Sequence, residues 1–151
     1  MRSRTDHKEV YQPGDIIVRE GEETREMFVI QEGEVVVTKN VAGKELELAR
    51  LGRGSFFGEM SLLESMPRNA TVKASVKTRL LVIKPGSLLL TIRRDPTFAF
   101  EMLQHMSRRI RDIDERLVEI ISSGKSPAEM SKEIERMRAT SEFRALTENT
   151  E

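Results

Sequence analysis

Between Val10 and Ile83 the apolar residues come in short segments of three to six residues, with glycine in most of the gaps. The segments are Ile16–Val18, Met27–Ile30, Val35–Thr38, Leu46–Leu51, Thr71–Ala74 and Leu80–Ile83, rich in Val, Ile and Leu. None is long enough for a stable helix, which needs about 10–12 residues. Pro13-Gly14, Gly21, Gly33, Gly43 and Gly52/Gly54 supply the turns that would reverse the chain between them. Many short strands at close spacing predict an antiparallel jelly roll. Alternation is poor in Val35-Val36-Val37-Thr38, so the buried face of that strand is not legible.

From about Pro96 the period changes. Leu103, Met106, Ile110, Ile113, Leu117 and Ile120 recur at steps of 3, 4, 3, 4 and 3, a heptad stripe on a helix. With Leu103 at position a, Arg109 falls at g and Asp114 at the following e, the relation that joins two parallel helices across a coiled coil. The same stripe also suits an amphipathic helix lying on its own β-domain, and the pattern leaves both open. Ser122-Ser123-Gly124 ends this helix. Ser126-Pro127-Ala128-Glu129 then has the form of a capping box with proline at the first helical position, so a second helix starts there. Its apolar positions Met130, Ile134 and Met137 form a thin stripe that fades toward Phe143 and Leu146. The expected organisation is a β-barrel over residues 1–97, a lid or dimerisation helix over 98–122, and a helix and tail over 123–151. The fold class is mainly β with α: an antiparallel jelly roll followed by C-terminal helices.

Composition removes several functions. Lys plus Arg equals Asp plus Glu at 25 each, leaving no surplus charge to draw nucleic acid or an anionic membrane. No segment approaches the ~20 apolar residues of a membrane span, and Met1–Lys8 holds no signal-peptide core. Cysteine is absent, excluding disulfides, thiolate ligands and a thiol nucleophile. His7 and His105 lie in different halves without partner motifs. No catalytic residue, metal site or cofactor is therefore assigned, and a cytoplasmic setting is expected.

The chemistry concentrates in Phe56-Phe57-Gly58-Glu59-Met60-Ser61-Leu62-Leu63 and Pro67-Arg68-Asn69-Ala70-Thr71-Val72. A Gly-Glu pair ends a strand and opens a short helical turn, whose leading N–H groups favour an anion. Gly58 permits close backbone approach. Arg68 offers a planar fork suited to two phosphate oxygens. Glu59 is an acceptor suited to sugar hydroxyls. Together they fit a ligand with a ribose hydroxyl and one phosphate, although spacing alone equally allows a plain Glu59–Arg68 ion bridge.

These two stretches strongly resemble the phosphate-binding cassette of the cyclic-nucleotide-binding domain family, which includes protein kinase A regulatory subunits, cyclic-nucleotide-gated channels and the catabolite activators. Pro13-Gly14-Asp15-Ile16-Ile17, Arg19-Glu20-Gly21-Glu22, Met27-Phe28-Val29-Ile30 and Glu32-Gly33-Glu34-Val35 resemble the family's opening strands. Lys84-Pro85-Gly86-Ser87-Leu88 resembles the end of its barrel. The resemblance implies that Glu59 accepts from the ribose 2′-hydroxyl, with Gly58 contributing backbone. It places Arg68 and the Ser61 N–H on the cyclic phosphate, with Met60 and Ala70 completing the cassette. Ser61 stands where alanine is usual. Asn69 stands where guanine-preferring members carry threonine, which favours cAMP over cGMP as the ligand.

Met106-Ser107-Arg108-Arg109-Ile110 resembles the dimerising helix of the catabolite activators, where two polar residues further along contact adenine. Those places hold Ile113 and Asp114 here, and only Asp114 can accept from the adenine amino group. The resemblance implies a homodimer through residues 98–121 and an effector protein or domain as further partner. Too little chain follows Ile121 for the DNA-binding domain of that branch, so no nucleic acid is expected. The competing expectation is a dimerisation module whose nucleotide site is vestigial.

Overall fold

The structure is a computed structural model, and it describes residues 6–124, 126–129, 131, 132 and 135. Among the described residues, eight strands make two four-stranded antiparallel sheets that pack face to face. β1 (His7–Tyr11), β8 (Thr78–Ile83), β3 (Met27–Glu32) and β6 (Phe56–Phe57) lie side by side in that order. The second sheet runs β2 (Ile16–Val18), β7 (Thr71–Ala74), β4 (Glu34–Val41) and β5 (Lys44–Gly52). A short helix, α1 (Glu59–Glu64), interrupts the path from β6 to β7, and α2 (Leu88–Arg94) and α3 (Pro96–Ser122) follow the barrel. The expected jelly roll followed by helices is the fold found.

The near-continuous apolar character of β3 and β8 has a physical cause, because both faces of these strands are covered. Phe28, Ile30, Leu80 and Val82 point between the sheets and pack with Val18, Val35, Phe57 and Val72. Their neighbours Met27 and Ile83 point the other way, onto Phe56, Leu62, Leu88 and Met102, with Phe98 and Met106 alongside. Successive residues of a strand alternate faces, so one run of four apolar residues serves two cores. The second core is what docks the helices.

β1 is a departure from the strands expected. His7-Lys8-Glu9-Val10-Tyr11 is charged, yet it pairs along its length with β8 at the sheet edge, where only one ladder is needed. At Val37/Thr38 the pairing of β4 with β5 slips register, with Val37 opposite Ala49 and Thr38 opposite Glu47. Leu48 is the extra residue of this bulge.

α3 begins with Asp95 as N-cap, its carboxylate accepting from the Thr97 N–H at 3.1 Å, and Pro96 at the first turn. It ends at Ser122, with Gly124 in the left-handed region beyond. The second helix start is also formed. Ser126 N–H donates to Glu129 at 2.7 Å and Glu129 N–H donates back to Ser126 Oγ at 3.3 Å. Met130, Ile134, Met137, Phe143 and Leu146 lie outside the described residues.

Candidate functional site

The strand β6 is only two residues long and is fixed by ring contact. Phe57 stacks on Phe28 of β3 with ring centres 4.9 Å apart. The chain then turns through Gly58 at φ 85°, a left-handed conformation that caps α1 without a side chain. The first intrahelical bond is Leu62 N–H to Gly58 O, so the N–H groups of Glu59, Met60 and Ser61 lead the helix. Ser61 and Ala70 are buried, whereas Met60 and Asn69 are exposed and touch, the Asn69 amide donating to the Met60 sulfur at 3.6 Å.

Arg68 is held from the β2–β3 connection. Its backbone N–H donates to Glu22 O and its carbonyl accepts from Gly21 N–H, both at 2.8 Å. The side chain is 2% exposed. Nε donates to Thr24 Oγ1 at 3.0 Å, Nη1 to Gly58 O at 3.4 Å, and the guanidinium lies 5.8 Å from the centre of the Phe28 ring. Nη2 has Glu26 Oε2 at 3.6 Å, too far for a hydrogen bond, and is buried with no hydrogen-bond partner among the described residues. Burial pulls the guanidinium below its ordinary range, opposed by the charges of Glu26, Glu22 and Glu59. Arginine keeps its charge even so.

Glu59 and Arg68 are therefore not partners in a simple ion bridge. Glu59 Oε1 instead receives Arg109 Nη1 of α3 at 2.9 Å. Arg109 Nη2 donates to the Phe56 carbonyl, and its guanidinium lies 4.8 Å from the centre of the Phe56 ring. This corrects the expected use of Arg109 at an interhelical g position, since it is engaged within its own chain. The sequence carries the signal, because Phe98, Met102, His105, Met106 and Arg109 lie on one helical face at steps of 4, 3, 1 and 3. Thr24 and Glu26 had no such signal. They meet Arg68 across more than 40 residues of chain.

Asp114 is exposed and lies five residues past Arg109, roughly 140° around α3 from it. It is not brought to Glu59 and Arg68 within this chain. No group of described residues forms a metal site, and no helix among them is long and apolar enough to cross a membrane.

His105 sits beside this junction, its ring edge-on to Phe56 at 5.3 Å. Burial, then the charges of Arg109 and Arg108, lowers its pKa below the ordinary 6.5, with Glu101 opposing. Phe56 is the barrel group that faces it. The folded state thus prefers neutral His105. The stability this gives is present above pH 6.5 and is lost as pH falls through the lowered folded value. Urea midpoints taken from pH 7.5 to 5 should fall more steeply for the native chain than for His105→Gln. Parallel curves would exclude the effect.

Residues 8–95 match the model of the cyclic nucleotide-binding domain. The chain is 38% identical over 96 residues to a putative potassium channel protein of Rhodopseudomonas palustris, covering 64% of this chain and 23% of that protein. It is 33% identical over 108 residues to the cyclic AMP receptor protein of Thermus thermophilus, covering 71% of this chain and 50% of the receptor. It therefore spans half or less of these relatives. Among solved structures, a cyclic nucleotide-binding domain from Methylobacillus flagellatus superposes with a TM-score of 0.65 at 27% identity, over 74% of this chain and 65% of that one. The residues matched by the family model, 8–95, run from β1 through β8 and include α1 with its glycine turn and Arg68. The chain belongs to the cyclic nucleotide-binding domain family.

Proposed function

We propose that this chain is a non-catalytic sensor module that binds a cyclic nucleotide, cAMP foremost, at Gly58, Glu59, Met60, Ser61, Arg68, Asn69 and Ala70. The observation that carries the reading is the buried Arg68 Nη2, which has no hydrogen-bond partner among the described residues. Leaving a desolvated charged donor without a hydrogen bond is costly, and a phosphate oxygen supplies one. With Glu59 Oε1 held by Arg109, Oε2 is the acceptor open to a ribose hydroxyl. Asn69 in place of threonine supports adenine, and Asp114 of a second subunit would add an acceptor for its amino group. Calorimetric titration with cAMP and cGMP tests this directly. Failure of both to bind at high micromolar concentration sinks it and leaves the dimerisation module.

Arg109 supports coupling to α3. One helix residue bonds the carboxylate proposed to take the ribose, so the ligand alters the energy of docking that helix. The population shift is bounded by the ligand's differential affinity for the docked and undocked states. Hydrogen exchange across residues 98–121 should change on saturation with cAMP, and identical exchange would refute the coupling.

The heptad stripe supports a homodimer. Leu103, Ile110, Ile113 and Leu117 are 65%, 59%, 62% and 52% exposed, so they are not spent on the barrel, which takes Phe98, Met102 and Met106 instead. Light scattering at tens of micromolar should give twice the chain mass, and Ile113→Glu should give the monomer. A monomeric native chain would exclude the dimer. The effector is proposed to be a partner protein or domain reached through α3.

A further inference from the structure

We propose that Glu26 is a resident counter-ion of Arg68 that works against an incoming phosphate and so holds the affinity of the site down. This rests on the nucleotide reading of the same site. The three guanidinium nitrogens have different partners. Thr24 Oγ1 and Gly58 O hold Nε and Nη1 by hydrogen bonds, and those two contacts fix the plane of the group. Glu26 approaches only Nη2, at 3.6 Å, an attraction of charge without a hydrogen bond. Its side chain is 38% exposed while that of Arg68 is 2% exposed, so Glu26 stands on the open side of a buried cation.

Nη2 is also the atom left for an anion. A phosphate bonded there would come close to the Glu26 carboxylate and would have to repel it or turn it out into solvent. Glu22 acts on the same guanidinium through charge alone, more weakly than Glu26. The orientation of Arg68 is thus supplied by neutral acceptors, and the negative charge beside it by Glu26 and then Glu22. Removing the charge while keeping the shape should leave the fork in place and raise the positive potential at Nη2.

The sign separates this from a structural role. Glu26→Gln should bind cAMP about two- to fivefold more tightly than the native chain, the range of a half-exposed ion pair. Glu22→Gln should tighten it less, and the exposed Glu23→Gln should leave it unchanged. A scaffolding role for Glu26 predicts weaker binding by Glu26→Gln, and that result, or no change, overturns the proposal. A second readout uses inorganic phosphate. Its stabilisation of the fold against heat should be larger for Glu26→Gln than for the native chain. Equal stabilisation overturns the counter-ion while leaving the nucleotide reading intact, whereas failure of the native chain to bind either nucleotide overturns that reading. Should Glu26→Gln fold poorly, Glu22→Gln carries the same test with its smaller gain.

Discussion

Arg68→Ala is expected to weaken nucleotide binding by at least about thirtyfold, and up to several thousandfold, the cost of deleting one partner of a buried charged pair at roughly 2–5 kcal/mol. The loss has two sources. The ligand phosphate keeps its charge but loses the fork that would bond it, and a small residue leaves Thr24, Gly58 O and Glu26 facing a void. Arg68→Lys restores charge without the planar pair of donors and should recover only part of the affinity. Calorimetry supplies the affinities. Melting of the ligand-free variants shows how much of the loss is stability, since the guanidinium also packs on Phe28. Unchanged affinity in Arg68→Ala would show that the nucleotide is not held here.

Gly58→Ala should damage fold and site together. A Cβ at this position would lie 2.7 Å from Arg68 Nη1 and 2.7 Å from the Glu26 carbonyl oxygen, and 3.4 Å from Met27 Cα. The arginine tip can give way. The carbonyl belongs to the backbone entering β3 and cannot yield without moving that strand. The φ of 85° adds a conformational penalty for any L side chain. Together these should cost on the order of 1–3 kcal/mol or more of stability. The Arg68 fork and the N-terminus of α1 should be displaced as well, so affinity falls beyond what stability explains. Urea unfolding and calorimetry on the same preparation separate the two effects. A variant as stable and as tightly binding as the native chain would contradict the geometry.

The parts of this fold legible in the sequence are those where local pattern and tertiary demand agree. Met27–Ile30 and Leu80–Ile83 announce themselves because both of their faces are buried. Phe57-Gly58-Glu59 is legible because a glycine, an acid and a helix start in that order have few structural uses. β1 was illegible because an edge strand tolerates His, Lys and Glu. Val35–Thr38 is illegible because Val36, on the face opposite the core-facing Val35 and Val37, is as apolar as they are. The heptad stripe showed that α3 is amphipathic, but not which face the barrel takes. Arg109 decides that by reaching Glu59, a contact between residues 50 apart that no periodicity contains. Thr24 and Glu26 were hidden for the same reason.

The 27-residue length of α3 has a mechanical consequence. Its N-terminus is capped at the Asp95–Pro96 corner, and Arg109, thirteen residues past Pro96, bonds the barrel at Glu59 and the Phe56 carbonyl. The segment from Pro96 to Ser122 is about 39 Å long, and Arg109 sits near its midpoint. For a swing about that corner, Ser122 moves about twice as far as Arg109. Swinging it by about 10° moves Arg109 by roughly 3 Å, enough to break its bond to Glu59, and carries Ser122 through roughly 7 Å. On the coupling proposed above, release of this pair together with the packing of Phe98, Met102 and Met106 would carry the far end through more than one helical turn.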